Sequence, residues 1–226
     1  MSNFISRALT ATDNFYSEDH GFKYNVKKSV SWLKENIEIL PKKGRILDLC
    51  CGDGFWSYCF HQTNKKLEYH GIDISSGAIK KAQKYLPKSA TNFVVGDVEN
   101  EFIWPKAYFD YIFARGPGVY NQHSMKHNGA VECIEMWHSY LKENGVFCSI
   151  FASTPHLIGT YTPIEKVVLP YNKEARETKA TKFSGGKYHH SIETFLEPFW
   201  AAKNLKIISY KFVRNNHVLL TKKIAG

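Results

Sequence analysis

The apolar positions first fall at helical spacing. Val26, Val30, Leu33, Ile37 and Leu40 recur at intervals of four and three, which predicts an amphipathic helix near residues 23–40, closed by Pro41 and Gly44. The period then changes. A short apolar run, Ile46, Leu47 and Leu49, predicts a buried strand near 45–50 that breaks into the small-residue turn Cys50-Cys51-Gly52-Asp53-Gly54. A helix carrying Phe55, Tyr58, Cys59 and Phe60 follows. Residues 67–74 read as a second strand, and Ser75 or Ser76 can cap a helix bearing Ile79, Ala82 and Leu86 that Pro87 terminates. Asn92–Val95 is a third strand, and Phe109–Ala114 a fourth, entered after an irregular stretch containing Pro105. Helical period returns at 129–142, with Ile134, Trp137 and Leu141 on one face and Asn144-Gly145 as the stop. Val146–Phe151 is strand five.

Strand and helix alternating in this way predict a parallel sheet covered on both faces. The end of the chain breaks the rhythm. A helix near 191–203 precedes two strands, Leu205–Val213 and His217–Lys222, and the short link Arg214-Asn215-Asn216 makes them antiparallel. The expected fold is α/β: a single doubly wound, Rossmann-like domain over 1–226, its seven-stranded sheet mostly parallel with an antiparallel strand at the C-terminus. Within it, 1–44 reads as an N-terminal lid and helix, 45–153 as a cofactor-binding core, and 191–226 as a helix plus terminal hairpin. Residues 154–190 hold Pro155, Pro163, Pro170, Gly159 and Gly185-Gly186 and fit no sheet element. So long a segment after strand five reads as a substrate-determining insertion.

Composition narrows the class. A chain of 226 residues, 43% apolar and 23% charged, buries a substantial core without cross-links. The five cysteines, Cys50, Cys51, Cys59, Cys133 and Cys148, are odd in number and show no pairing pattern, which suits free thiols in a reducing compartment. Cys50-Cys51 with Cys59 has the wrong spacing for tetrahedral zinc, so no metal is expected. No leader pattern and no apolar run of roughly 20 residues is present, so a cytoplasmic protein without a membrane partner is expected. The net charge of +9 is uneven: residues 160–226 hold 12 Lys/Arg against 5 Asp/Glu, whereas 1–159 hold 18 against 16. A basic final third permits a phosphorylated substrate, an acidic partner or nucleic acid, although no recognisable nucleic-acid module is present.

The candidate chemistry gathers at strand ends. Asp48 lies near the end of strand one, Asp73 at the end of strand two and Asp97 just past strand three. An acid ending strand two can accept both hydroxyls of a ribose, and one past strand three can accept from an exocyclic amino group. An acid inside strand one can orient the glycine loop and stand near an ammonium group. Together they describe a pocket for a ribose, an adenine and a cationic amino-acid tail. A nicotinamide site fits poorly, because its G-x-G-x-x-G needs a third glycine where this chain has Ser57.

These residues resemble the class I S-adenosylmethionine-dependent methyltransferases over about 40–153 plus the terminal hairpin. LDLCCGDG matches the first motif, with Cys50 where glycine is usual; Ile72-Asp73-Ile74-Ser75 matches the ribose motif; Gly96-Asp97-Val98 matches the adenine motif; FDYIFARG matches the strand that floors the active site. The resemblance implies S-adenosylmethionine as cofactor, held by Asp48, Cys50, Cys51, Gly52, Gly54, Trp56, Asp73, Ile74, Asp97, Val98 and Ala114. It implies methyl transfer, expected to go to a small molecule carrying an anionic group. Alternative readings are an RNA or protein target, and a non-catalytic S-adenosylmethionine-binding subunit that activates a partner. ARGPGVY after strand four lacks the Asn/Asp-Pro-Pro-aromatic motif of base and glutamine amide methylation. Displacement at a sulfonium needs alignment more than proton transfer, so no dedicated triad is expected. The catalytic candidates are Arg115, Tyr120 and His123, with His123 as general base. Tyr16, His20, Tyr24, Arg115 and His189 are the substrate candidates, Arg115 by clamping an anion. Oligomeric state is not legible.

Overall fold

The structure is a computed structural model describing residues 25–37, 40–86, 91–115, 129–152, 181–183, 186–188, 199–213 and 216–224. In chain order it contains α1 (Val26–Asn36), β1 (Gly44–Leu49), α2 (Phe55–Thr63), β2 (Leu67–Asp73), α3 (Ser76–Tyr85), β3 (Thr91–Val95), β4 (Phe109–Arg115), α4 (Gly129–Ser139), β5 (Leu141–Ala152), β6 (Thr181–Phe183), β7 (Gly186–Tyr188), β8 (Leu205–Val213) and β9 (Asn216–Lys223). Seven strands form one sheet in the order β3-β2-β1-β4-β5-β9-β8. β1 pairs in parallel with β2 and β4, as do β2 with β3 and β4 with β5. β9 runs antiparallel to both β5 and β8, so a single reversed strand closes the sheet. The doubly wound expectation holds.

Both faces of the sheet are apolar because both are covered. On one face Leu33 of α1 and Phe60 of α2 pack with Ile46, Tyr111, Phe113 and Cys148. On the other, Ile134 and Trp137 of α4 and Phe199 pack with Leu47, Ile112 and Phe147. Phe60 meets Phe113 edge-on at 4.8 Å between ring centroids, and Trp137 stacks on Phe147 at 5.8 Å. His138 is a structural tie. Its Nδ1 donates to the Ile134 carbonyl and its Nε2 accepts from Thr221 of β9, each at 2.7 Å, and burial pushes its pKa down to about 4.

Local signals set the element ends. Asn25 caps α1 by accepting from Lys28 N–H at 3.0 Å, and Ser75 caps α3 by accepting from Ala78 N–H at 3.1 Å. Two expectations fail. Asn144-Gly145 does not stop a helix: α4 ends at Ser139, and β5 starts at Leu141 instead of Val146. Asn144 takes φ 64 inside β5, where pairing with β4 jumps from Phe109↔Leu141 to Tyr111↔Val146. The pair is a bulge in a strand. Nor is 154–190 free of sheet, because β6 and β7 form a small antiparallel pair.

Candidate functional site

The loop after β1 folds tightly because its backbone turns left-handed three times in five residues. Cys50, Gly52 and Gly54 have φ of 56, 54 and 76. At Gly54 a side chain would also strike α3, since its Cβ would lie 2.9 Å from that of Ala82. Cys50 takes this conformation without the freedom of glycine. The loop is held by its neighbours: Cys51 N–H donates to the Ile72 carbonyl at 3.1 Å, and Gly54 N–H to the Cys51 carbonyl at 3.0 Å.

Asp73 completes the cradle. Its Oδ2 accepts from Gly52 N–H and its Oδ1 from Ser75 N–H, each at 2.9 Å. The acid ending β2 therefore fixes the glycine loop and the entry to α3 together. Asp48 was the residue expected to orient that loop, and it does something else. It is 2% exposed and accepts from Ser57 Oγ at 2.7 Å, locking the first turn of α2 to β1. Burial, opposed in part by that hydrogen bond, pushes its pKa up to about 7, and the charges of Asp73 and Asp53 add to the rise. Ser57 escaped the sequence reading, because a serine in a first helical turn shows nothing of the acid it faces across nine residues.

The remaining cofactor candidates divide by environment. Cys51 is buried against Ile79, Ala82 and Phe93, and burial raises its thiol pKa well above the usual range. Ile74 is half-buried beyond Asp73, and Ala114 is fully buried at the end of β4. Asp97 is half-buried and accepts from Glu99 N–H at 2.9 Å and Asn100 Nδ2 at 3.1 Å. The carbonyl of buried Val98 accepts from Trp137 Nε1 at 2.7 Å, fixing this turn to α4. Trp56 meets Trp32, Phe55 and Phe113 with centroids 5.3–6.0 Å away, joining α1 to β4. The Arg115 guanidinium lies 4.9 Å from the centre of the Trp56 ring. Tyr16, His20, Tyr24, Tyr120, His123 and His189 lie outside the described residues.

The donor set suits an adenosyl amino acid. A carboxylate accepts up to about four hydrogen bonds, so Asp73 can serve two backbone donors and ribose hydroxyls at once. Left-handed turns bring bare backbone to the carboxyl end of the sheet, where doubly wound folds receive nucleotides. A family model described as a methyltransferase domain matches residues 40–192, more than half of the chain. The chain belongs to the methyltransferase-domain family. It is a class I methyltransferase by family, and S-adenosylmethionine is its cofactor. Solved structures share the fold at low identity. An S-adenosylmethionine-dependent methyltransferase from Mesorhizobium loti is 16% identical with TM-score 0.62, covering 88% of this chain and 100% of its own. The PH0226 protein from Pyrococcus horikoshii is 19% identical with TM-score 0.63, covering 94% and 99%. A chain from a complex that contains the Trm112 methyltransferase activator of Haloferax volcanii is 14% identical with TM-score 0.62, covering 100% and 99%. None of the curated proteins compared with this chain matches it. Among the described residues no helix is long and apolar enough to cross a membrane.

Proposed function

We propose that this methyltransferase acts on a small molecule carrying an anionic group. The observation that carries this reading is Arg115. Its guanidinium ends β4 at the carboxyl edge of the sheet, beside β1 and its loop, and stacks on an indole of α2. A guanidinium carries its donors in a planar fork that matches a carboxylate or phosphate bidentately. Bound S-adenosylmethionine supplies an electrophilic methyl group on a sulfonium. Asp73 would hold the ribose, Asp48 would face the amino end of the cofactor, and Asp97, Ile74 and Val98 would line the adenine. Cys50, Cys51, Gly52 and Gly54 would give the backbone approach, and Trp56 and Ala114 the walls. Alignment of an acceptor by Arg115 can supply much of the rate enhancement, of the order of 7–11 kcal/mol where positioning is good. Tyr120 and His123, with His123 as base, and Tyr16, His20, Tyr24 and His189 remain our candidates for the acceptor side, as does 154–190 for specificity. Five free cysteines suit a reducing cytoplasm.

Calorimetry with S-adenosylhomocysteine tests the cofactor half: Asp73→Ala should lose most of the binding seen in the wild type, and Arg115→Ala should keep it. Release of S-adenosylhomocysteine from a panel of small carboxylic and phosphorylated acids, each beside its neutral ester, tests the acceptor half. Turnover confined to the charged members, and depressed in Arg115→Ala, is expected. Turnover of neutral members that ignores Arg115 would refute the anionic acceptor, and tight binding with no turnover on any target would favour a non-catalytic subunit.

A further inference from the structure

The end of the sheet opposite the cofactor loop carries an unusual concentration of positive charge. Exposed Lys42 and Lys43 lead into β1, and exposed Lys65 and Lys66 lead into β2. Because Gly44 pairs with Leu67, at the strand spacing of about 4.8 Å, the two lysine pairs lead into neighbouring strands side by side. Asn64 clamps them there. Its Nδ2 donates to the carbonyls of Pro41 at 3.1 Å and Lys42 at 3.2 Å, while its Oδ1 accepts from Lys66 N–H at 3.0 Å. Three strands further along, Lys222 of β9 stands directly opposite Lys206 of β8, a like-charge pairing that sheets ordinarily avoid.

Three acids of this edge are already engaged in ion pairs, and a fourth, exposed Glu143, acts on Lys223. Glu68 holds Arg45 at 3.1 Å, Asp110 holds Lys142 at 2.8 Å, and Glu101 pairs with Lys106. Lys42, Lys43, Lys65, Lys66, Lys206 and Lys222 have no acidic partner among the described residues. Between the two lysine groups lies a cleft. Leu40 and Pro41, just before Lys42, line one side, and Val146, paired with Lys222, lines the other, with Tyr111 between them and the Asp110–Lys142 ion pair, Glu143 and Asn144 at its rim. Holding like charges together on a rigid clamp is unfavourable unless an anion neutralises them. The concave shape and the flanking charge select the anion: a flat bilayer offers nothing to enter a cleft of mixed polar and apolar lining, whereas a single nucleic-acid strand offers phosphates for the lysine flanks and a base, with its polar edge and apolar face, for the middle.

We propose that this amino-terminal edge of the sheet binds the phosphate backbone of single-stranded nucleic acid, with Lys42, Lys43, Lys65 and Lys66 as one anchor and Lys206 and Lys222 as the other. This site is separate from the methyl-transfer end and does not depend on the acceptor. Fluorescence anisotropy with a labelled 12-nucleotide oligouridylate, without cofactor, tests it. If the Asn64-clamped lysines neutralise about four phosphates, the logarithmic salt slope is about −3, or roughly fiftyfold weaker binding at 200 than at 50 mM salt. K43E/K66E should bind at least tenfold more weakly with a shallower slope, and K43Q/K66Q should fall between. Far-UV circular dichroism of each variant separates lost binding from lost folding, and K206E/K222E gives an independent measure should the first pair unfold. Binding that ignores these substitutions or salt would overturn the proposal, as would sedimentation with phosphatidylserine vesicles in the absence of oligouridylate binding.

Discussion

Asp48 makes the stability of this protein depend on pH in a direction opposite to that of acids held in ion pairs or by backbone donors. Its pKa is raised from 3.8 to about 7 by burial. A carboxyl with a higher pKa folded than unfolded binds more protons in the folded state between those values, so stability falls as pH rises from about 4 to 7. At about 1.4 kcal/mol per pH unit, the penalty reaches about 4 kcal/mol above pH 7 and lies between about 1 and 2 kcal/mol at pH 5. Asp48→Asn removes the charge and keeps an acceptor for Ser57 Oγ, which lies 2.7 Å away. The variant should therefore gain about 3 kcal/mol on the wild type between pH 5 and pH 8. In a domain of this size that is a relative rise of roughly 6–12 °C in Tm. The comparison must be between variant and wild type, because His138, held down to about 4 by burial, acts the other way. Its neutral folded form is favoured above pH 6.5, and that stability drains away as pH falls towards 4. Thermal scans of both proteins at unit steps from pH 5 to 8 measure the difference, and parallel curves would refute the reasoning. If Asp48 faces the ammonium group as proposed, the same variant should bind S-adenosylhomocysteine more weakly at pH 8, having no charge to offer it.

Gly71 leaves no room for a side chain: an added Cβ would lie 2.2 Å from the Phe93 ring and 2.9 Å from Cys51 Sγ. Gly71→Ala should cost about 2–3 kcal/mol in denaturant unfolding, with partial recovery on adding Phe93→Val; a loss below about 0.5 kcal/mol would show that the ring moves aside freely. Cys50 sits at φ 56, where a side chain costs about 1–2 kcal/mol, so Cys50→Gly should stabilise the protein by roughly 0.5–1 kcal/mol without weakening S-adenosylhomocysteine binding. A destabilised Cys50→Gly protein would mean that the thiol itself holds the loop.

The parts of the fold governed by neighbours in sequence were legible. Alternation, apolar runs and the Ser75 cap place β1 to β4 within a residue of where they lie, because their causes are local. Causes that lie far along the chain were not legible. α4 ends at Ser139, not near Asn144, and the carbonyls of Ser139 and Leu141 accept from Lys223 Nζ, more than eighty residues away, at 3.3 and 2.7 Å. A sequence window around Asn144-Gly145 holds a good stop and no sign of that lysine. The same holds at the site. Three acids at three strand ends could be picked out, but not which of them holds the loop. That depends on Gly52 N–H reaching Asp73 across twenty-one residues, while Asp48 turns inward to Ser57.

This division of labour between the two acids bears on how the protein binds its cofactor. Asp73 spends its hydrogen bonds on the backbone of two elements, so the left-handed loop is held in shape without a ligand, and little ordering remains to oppose binding. Asp48 does the reverse. With its pKa raised to about 7 it is about half protonated at neutral pH, and a cation brought beside it would favour loss of that proton by stabilising the buried charge. Where the two acids hold the cofactor as proposed, the first lowers the entropy lost on binding and the second couples binding to proton release near pH 7.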